Sequence, residues 1–124
     1  MKFKIFRFKK VNSTNNTAIR IIKSLSVDCG MVISETQNKG RGQYGKKWIS
    51  YKGNLFISFF YNLENLTISF KELTHFNCIL VKSLLSHYYK NKITFKKPND
   101  LLIGKKKICG ILQETLIKNN KKYL

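Results

Sequence analysis

A glycine-rich, basic segment at residues 40–47 is the part of the sequence best suited to binding an anion. Its three glycines and three cations are Gly40, Gly42, Gly45, Arg41, Lys46 and Lys47. Glycine lets the backbone approach a ligand closely, and exposed amides in such a turn form an anion-binding concavity. The glycines also fit the spacing of dinucleotide-binding loops, which require a helix after the third glycine. Because Trp48 and Ile49 favour a strand there, a dinucleotide-binding fold is not expected. Taken alone, the segment favours a flexible, solvated basic loop, and an anion-binding loop is the alternative.

Two further polar segments could take part in chemistry. Ser13, Thr14 and Asn15 precede a helix, and these residue types alone favour N-capping of that helix. Lys96 and Lys97 precede a Pro98-Asn99-Asp100 turn, in which Asn and Asp side chains commonly bond to nearby backbone. Among 21 lysines, Lys96 taken alone would be interpreted as one more solvated charge.

Hydrophobic periodicity predicts the elements that position these segments. Strands are expected at residues 2–11, 31–36, 54–62, 93–95, 101–103 and 108–117, and helices at 17–25 and 69–90. Turns are expected at 28–30, 104–105 and 118–121, a long loop at 37–53, and a new strand from Lys122 that reaches only Leu124. The longer helix should bury an apolar stripe formed by Leu73, Phe76, Leu80, Leu84 and Tyr88. These elements predict an α/β fold of the α+β type, a mixed sheet with helices packed mainly on one face.

Composition limits the classes of protein. A chain of 124 residues with 43% hydrophobic residues can bury a core, so disorder is not expected. The net charge of +18 comes from 21 lysines and only three arginines, spread along the whole chain, which favours coding bias over a nucleic-acid interface. The sequence has no apolar run long enough to cross a bilayer and no signal peptide. Cys29, Cys78 and Cys109 have no metal-ligand spacing, so reduced thiols and a cytoplasmic location are expected.

The polar segments, taken in order, resemble the catalytic domain of biotin protein ligases. The matching segments are residues 13–15, 35–50, 53–58 and 96–114, so the resemblance extends over nearly the whole chain. It implies that biotin is activated with Mg-ATP to biotinyl-5′-AMP and transferred to a lysine of the biotin carboxyl carrier domain of a carboxylase. Residues 1–124 would be the N-terminal portion of that domain, lacking its later part and a small C-terminal β domain. No helix-turn-helix precedes Ser13, so specific DNA binding is not expected; a homodimer stays open.

The resemblance also implies roles for individual residues. Biotin would be contacted by Ser13, Thr14, Asn15, Gln37, Arg41, Gly42, Gln43, Lys96 and Gly110. Lys96 and Arg41 would be catalytic, Lys96 as the cation that brings the carboxylate and the α-phosphate together. The loop that closes over the ligand would comprise Gly40, Gly45, Lys46, Lys47 and Trp48, with Trp48 as an apolar lid. Lys107 would belong with Gly110 to a hairpin lining the pocket. Gln43 stands where many members have Arg, and Lys97 where many have Trp. Asp100 is a weaker candidate for placing Mg²⁺, and no other metal ligand is assigned.

Three alternatives remain at this stage. The chain could be an inactive, truncated fragment of that enzyme. It could be a lipoate or octanoyl ligase of the same fold, although Trp48 after the glycine loop and the turn after Lys96 favour biotin. The third alternative is a small basic nucleic-acid-binding protein, against which the even spread of lysine argues.

Overall fold

The computed structural model describes residues 2–124, and the chain divides into two units. Unit 1 is Met1–Asn65 with Glu114–Leu124, and unit 2 is Leu66–Gln113. Both units combine strands with a helix, which confirms the predicted α+β class. The assignment of the whole chain to a portion of a single catalytic domain stays a prediction. Among residues 2–124, no helix is both long enough and apolar enough to span a membrane.

Unit 1 is built on a mixed three-stranded sheet. The strands are β1 (Lys4–Val11), β2 (Cys29–Gln37) and β3 (Phe56–Tyr61), in the order β1-β2-β3. β1 runs parallel to β2, and β2 runs antiparallel to β3. A parallel pair needs a crossover, which helix α1 (Thr14–Ser24) provides. This is the predicted mixed sheet, and all three strands lie close to their predicted positions.

The core of unit 1 lies between α1 and the sheet. Ala18, Ile21 and Ile22 recur at helical spacing on α1 and pack against the strand residues Val32 and Phe60. Since alternate strand residues point to one face, the same face of the sheet also carries Phe6, Phe8 and the buried Ser58. The helix therefore covers one face of the sheet, and a polar side chain, Ser58, is directed into that covered face.

The segment 114–124 completes unit 1. It forms a hairpin of β7 (Leu116–Lys118) and β8 (Lys121–Tyr123), whose turn residues Asn119 and Asn120 have φ of 49° and 61°. Asparagine tolerates these left-handed values, so the predicted turn is confirmed. Tyr123 joins the buried core. The Lys118 ammonium donates to two carbonyls at the C-terminal end of α1, where a cation is favourable.

Unit 2 pairs the second helix, α2 (Phe70–Ser86), with an antiparallel sheet of order β4-β5-β6. The strands are β4 (Ile93–Lys96), β5 (Asp100–Ile103) and β6 (Lys106–Gly110). α2 starts at a capping box in which Ser69 and Glu72 bond to each other's backbone N–H groups. It packs on β4 and β5 through Leu73, Thr74 and Cys78, while Ile93 and Leu101 are buried on the strands.

Three sequence-based expectations are wrong. The turn at 28–30 is absent because Cys29 pairs with Tyr61 and Gly30 with Phe60 in the β2–β3 ladder. The strand expected at 108–117 stops at Gly110, since Gln113 bonds to Asn77 and to the Phe70 carbonyl.

The third error concerns the buried stripe of α2. Of the five residues predicted to be buried, only Leu73 is buried, and four are exposed: Phe76, Leu80, Leu84 and Tyr88. The packed stripe instead continues from Leu73 and Thr74 through Asn77 and Cys78. These two stripes are adjacent on the helix, and the less apolar one faces the sheet.

Candidate functional site

The structure brings six polar side chains of unit 1 together where α1 begins. They are Thr14 and Asn15 on α1, Gln37 at the end of β2, Arg41 in the following loop, Ser58 on β3, and Glu114. We call this group the polar cluster. Four of its members were predicted from the sequence, namely Thr14, Asn15, Gln37 and Arg41.

Gln37 is held at both ends of its amide. Its Oε1 accepts from the Thr14 backbone N–H at 2.9 Å and from the Thr14 hydroxyl at 3.4 Å. Its Nε2 donates to Ser50 Oγ at 3.2 Å, and the Ser50 hydroxyl donates onward to the Trp48 carbonyl. Because Oε1 faces only donors in these contacts, the orientation of the amide is fixed. Gln37 therefore links the first turn of α1 to the glycine-rich loop.

Ser58 and Asn15 form the buried side of the polar cluster. The Ser58 side chain lies 2.8 Å from Thr14 Oγ1 and also hydrogen-bonds to Asn15 Oδ1. Asn15 Nδ2 donates to Glu114 Oε2 at 3.0 Å. Thr14 and Ser58 are buried, so their partners matter: leaving a buried polar group unpaired costs about 1–3 kcal/mol. The contacts fix which end of the Asn15 amide donates and which accepts.

Ser13 has a structural role that the sequence also allowed. It is the N-cap of α1, has extended backbone, and its side chain accepts from the Asn16 N–H at 3.2 Å. Ser13 is 2% exposed, so this cap lies in the buried part of unit 1. Its predicted contact with biotin stays a prediction.

Arg41 and Glu114 form a bidentate ion pair. Arg41 Nη1 lies 2.9 Å from Glu114 Oε1, and Nη2 lies 2.7 Å from Oε2. Asn16 Oδ1 accepts from the other edge of the guanidinium, at 3.0 Å from Nε and 2.7 Å from Nη2. The hydrogen bond from Arg41 lowers the pKa of Glu114, and the same bond raises the pKa of Arg41. Both groups therefore remain ionised over the physiological pH range.

The glycine-rich loop has a defined internal structure. Gly42 N–H donates to the Lys46 carbonyl at 2.7 Å, Trp48 N–H donates to the Gly40 carbonyl at 2.8 Å, and Arg41 bridges to Lys47. These bonds commit the Gly42 and Trp48 amides within the loop, so they do not contribute to the anion-binding concavity suggested by the sequence. The loop instead presents side chains, with Arg41 directed into the polar cluster.

The remaining predicted loop residues take different positions. Gln43 and Gly45 bound a short 3₁₀ turn, and Gln43 is half-buried. Lys46 and Lys47 are exposed, while Trp48 is half-buried. A Cβ on Gly40 would lie 2.5 Å from Gln37 Nε2 and 3.0 Å from Trp48 Cβ, so this position is packed tightly against the residue that links the loop to α1.

Unit 2 holds the other two predicted site residues, Lys96 and Gly110. Lys96 pairs with Asp100 across β4 and β5, and Asp100 pairs with Gly110 across β5 and β6, so the three form one row. Asp100 forms an ion pair with Lys107 at 2.9 Å. The Ile111 N–H donates to the Asn99 carbonyl, and Asn99 Nδ2 donates to the Ile111 carbonyl. These bonds are expected for a residue that shapes the turn. Lys96 and Lys97 are both exposed, so burial does not decide between them.

A shallow groove of about 450 Å³ lies beside the N-terminus of α1. Its lining residues are Phe8, Lys10, Val11, Asn12, Ser13, Asn16, Thr17 and Arg20. It includes Ser13 but neither Gln37 nor Arg41. Because four of the predicted residues meet in the polar cluster and only Ser13 lines this groove, we place the candidate site at the polar cluster.

Within residues 2–124, no three His, Cys, Asp or Glu side chains form a group that could hold a metal ion. Asp100, the weaker candidate for placing Mg²⁺, is paired with Lys107. Burial raises the pKa of the Cys78 and Cys109 thiols, which keeps them protonated.

Two members of the polar cluster, Ser58 and Glu114, were given no site role from the sequence, and neither was Asn16, which contacts Arg41. Ser58 occupies an inward position of β3 between the apolar Phe56 and Phe60, and this break in the alternation was a usable signal. Asn16 resembles any other polar residue in a first helical turn. Glu114 lies 73 residues from Arg41, and nothing local marks that pairing.

Comparison with known proteins gives concordant results. Residues 7–124 match the biotin/lipoate A/B protein ligase family. The bifunctional ligase/repressor BirA of Escherichia coli (strain K12) is 35% identical over 106 residues, which are 84% of this chain and 32% of BirA. This chain thus spans about a third of the length of that relative.

Two solved structures show the same fold. A biotin protein ligase from Aquifex aeolicus, in complex with biotin and ATP, superimposes with a TM-score of 0.80 at 26% identity, covering 97% of this chain and 49% of that one. The biotin acetyl coenzyme A carboxylase synthetase from Helicobacter pylori, with bound biotinylated ATP, gives a TM-score of 0.78 at 22% identity. That comparison covers 98% of this chain and 57% of the Helicobacter chain.

Proposed function

Because the chain belongs to the biotin/lipoate A/B protein ligase family, we propose that it is the biotin-binding portion of a biotin protein ligase. The activity would be formation of biotinyl-5′-AMP from biotin and Mg-ATP, followed by biotinylation of a carrier-domain lysine. The observation that carries the proposal is the polar cluster. It sets hydroxyl, amide and guanidinium groups of fixed orientation beside a glycine-rich loop. A cytoplasmic location and a carboxylase carrier domain as the protein partner belong to the same proposal.

The polar cluster supplies groups suited to the two ends of biotin. The ureido ring has one carbonyl acceptor and two N–H donors, which the hydroxyl and amide groups of Thr14, Asn15 and Ser58 can match. The carboxylate would be held by the guanidinium of Arg41. Gln37 keeps the helix and the loop in register while biotin is bound. These residues bind and orient the substrate and do not themselves form a covalent bond with it.

The chemical step requires two anions to meet. A carboxylate oxygen of biotin attacks the α-phosphorus of ATP, the bond to the bridging oxygen breaks, and pyrophosphate leaves. A fixed cation lowers the barrier by stabilising the charge that develops at phosphorus. We assign this role to Lys96, and magnesium enters as part of Mg-ATP. In the second step the amine of a carrier lysine attacks the acyl carbon, AMP leaves, and the amine loses a proton.

Calorimetry tests the first part of the proposal. Biotin titrated into the 124-residue protein should bind, whereas lipoate and octanoate should bind at least tenfold more weakly, roughly 1.4 kcal/mol. A preference for lipoate or octanoate would reassign the substrate within the family. Absence of biotin binding and of biotin-dependent pyrophosphate release from ATP would leave the chain as an inactive fragment. Binding of duplex DNA at physiological salt with no biotin binding would support a nucleic-acid-binding protein.

A further inference from the structure

We propose that Glu114 is a positioning residue of the biotin site, which sets the orientation of both Arg41 and Asn15. The inference rests on the proposed function, because it concerns the same site. Glu114 accepts three hydrogen bonds, two from Arg41 and one from Asn15 Nδ2. It thereby connects the glycine-rich loop to the first turn of α1 through a single carboxylate.

The guanidinium of Arg41 is held along two of its edges. Arginine has five N–H donors in a rigid plane. Glu114 accepts one N–H from Nη1 and one N–H from Nη2. Asn16 accepts the N–H of Nε and the second N–H of Nη2. One N–H on Nη1 remains outside this set. With two edges of the plane held, this remaining donor has a fixed direction, which is the condition for a precise contact with a substrate carboxylate.

The side-chain amide of Asn15 is held at both of its ends. Its Nδ2 faces Glu114, and its Oδ1 accepts the hydrogen bond from Ser58. Without an acceptor at Nδ2, the amide could rotate by half a turn and exchange its donor for its acceptor. A ligand with a defined donor and acceptor pattern, such as a ureido ring, would then meet the wrong group in part of the molecules.

A carboxylate at position 114 is needed to hold both Arg41 and Asn15. The two oxygens of Glu114 match the fork of Arg41, and Oε2 also serves Asn15. A glutamine at position 114 would turn an NH₂ group toward donors on Arg41 or Asn15. An aspartate would keep the charge but would be one methylene shorter.

A competing role for Glu114 predicts that removing its charge would strengthen biotin binding. The Glu114 carboxylate could merely occupy Arg41 until a substrate anion displaces it. The side chains of the two partners are 36% and 33% exposed, so a ligand could reach the pair. However, Glu114 also holds Asn15, and an occupant displaced by the ligand would release that contact as well. We therefore favour a carboxylate that stays in place, and removal of its charge should weaken biotin binding.

The experiment compares wild type, Glu114→Gln and Glu114→Asp, with Glu35→Gln as the control. Glu35 is an exposed carboxylate of unit 1 outside the polar cluster, so its variant removes the same charge. Calorimetry should show that Glu114→Gln binds biotin about tenfold or more weakly than wild type does. The affinity of Glu114→Asp should lie between those of wild type and Glu114→Gln, and the control should stay within about twofold of wild type. Circular dichroism establishes that each variant is folded.

A second readout needs no ligand. Trp48 is the only tryptophan. Its backbone N–H donates to the carbonyl of Gly40, the residue before Arg41. Acrylamide quenching of its fluorescence should increase in Glu114→Gln and not in Glu35→Gln, because the loop loses its anchor. In wild type the quenching should also increase as Glu114 becomes protonated in acid, and this pH dependence should be absent from Glu114→Gln.

The outcomes separate the two proposals. Biotin binding to Glu114→Gln that equals or exceeds binding to wild type overturns the positioning role. If wild type binds no biotin, the proposed function fails for this chain, and the quenching experiment alone decides on Glu114. Unchanged quenching in Glu114→Gln then rejects the positioning role, and increased quenching retains it for Arg41 and its loop.

Discussion

Replacing Gly40 with alanine tests whether the loop is fixed by close packing against Gln37. The added Cβ would lie 2.5 Å from Gln37 Nε2 and 2.9 Å from Ser50 Oγ. Ordinary contacts begin at 3.4 Å, so the Gln37 amide would have to move by about 0.9 Å. Such a movement takes the side chain off its rotamer, which costs about 0.5–1.5 kcal/mol. It also breaks the bond to Ser50, worth about 1 kcal/mol.

Part of this cost is offset in the unfolded state. Alanine has fewer accessible backbone conformations than glycine, which favours folding by about 0.4–1 kcal/mol. The φ of Gly40 is not positive, so its backbone does not resist the change. We therefore expect Gly40→Ala to lower the free energy of unfolding of unit 1 by about 0.5–2 kcal/mol. Biotin binding should weaken in parallel, because Gln37 links the loop to α1.

Gly42→Ala is the matched control for stability. A Cβ at Gly42 has its nearest contact at 3.4 Å, and the φ there is −104°, which alanine adopts readily. This variant should be stabilised by about 0.4–1 kcal/mol. Urea denaturation followed by Trp48 fluorescence reports on unit 1, since that unit contains the only tryptophan. Equal free energies of unfolding for the two alanine variants would show that the packing around Gly40 does not constrain the loop.

Three further predictions concern the N-cap Ser13, the cation Lys96 and the carboxylate Glu114. Ser13→Ala should lower the stability of unit 1 by about 1 kcal/mol in urea denaturation, because α1 loses its N-cap, whereas Asn12→Ala should have little effect; equal losses would reject the capping role. Lys96→Ala should slow biotin-dependent adenylate formation about 10²–10³-fold and Lys97→Ala far less, and equal rates would contradict the assignment of Lys96. Because the pKa of Glu114 is lowered on folding, its stabilisation is complete above the ordinary glutamate pKa of about 4.3 and is lost as pH falls through the lowered folded value. Unfolding free energies measured below about pH 5 should therefore fall more steeply for wild type than for Glu114→Gln, and parallel curves would refute the contribution of the ion pair.

Local patterns were sufficient for much of unit 1. The alternation of β1 and the helical spacing of Ala18, Ile21 and Ile22 reflect burial against one partner surface, so sequence and structure agree there. In α2 two adjacent stripes compete. Phe76 and Leu80 look more suitable for a core than Thr74 and Asn77, yet the latter face the sheet. Periodicity reports that a helix is amphipathic but does not identify the surface that it will contact.

The site was predictable in its components and not in its connections. Thr14, Asn15, Gln37 and Arg41 were identified through family motifs, and all four meet in the polar cluster. Glu114, the partner shared by Asn15 and Arg41, was not identified, because Asn15 and Glu114 are 99 residues apart and their contact depends on how the chain returns to unit 1. The amides of Gly42, Lys46 and Trp48 donate to carbonyls within the glycine-rich loop, and the glycine spacing alone does not reveal these bonds.

The discontinuous course of unit 1 has a consequence for its biosynthesis. Unit 2 occupies Leu66–Gln113, between the two segments of unit 1, so the ribosome completes unit 2 before it synthesises segment 114–124. That segment brings Tyr123 into the core, Lys118 to the end of α1 and Glu114 to Arg41. During translation the nascent chain therefore carries the predicted biotin contacts of α1 and the loop before it has the carboxylate that holds them. A ribosome stalled before codon 114 would expose an immature unit 1 in which Arg41 lacks its Glu114 partner.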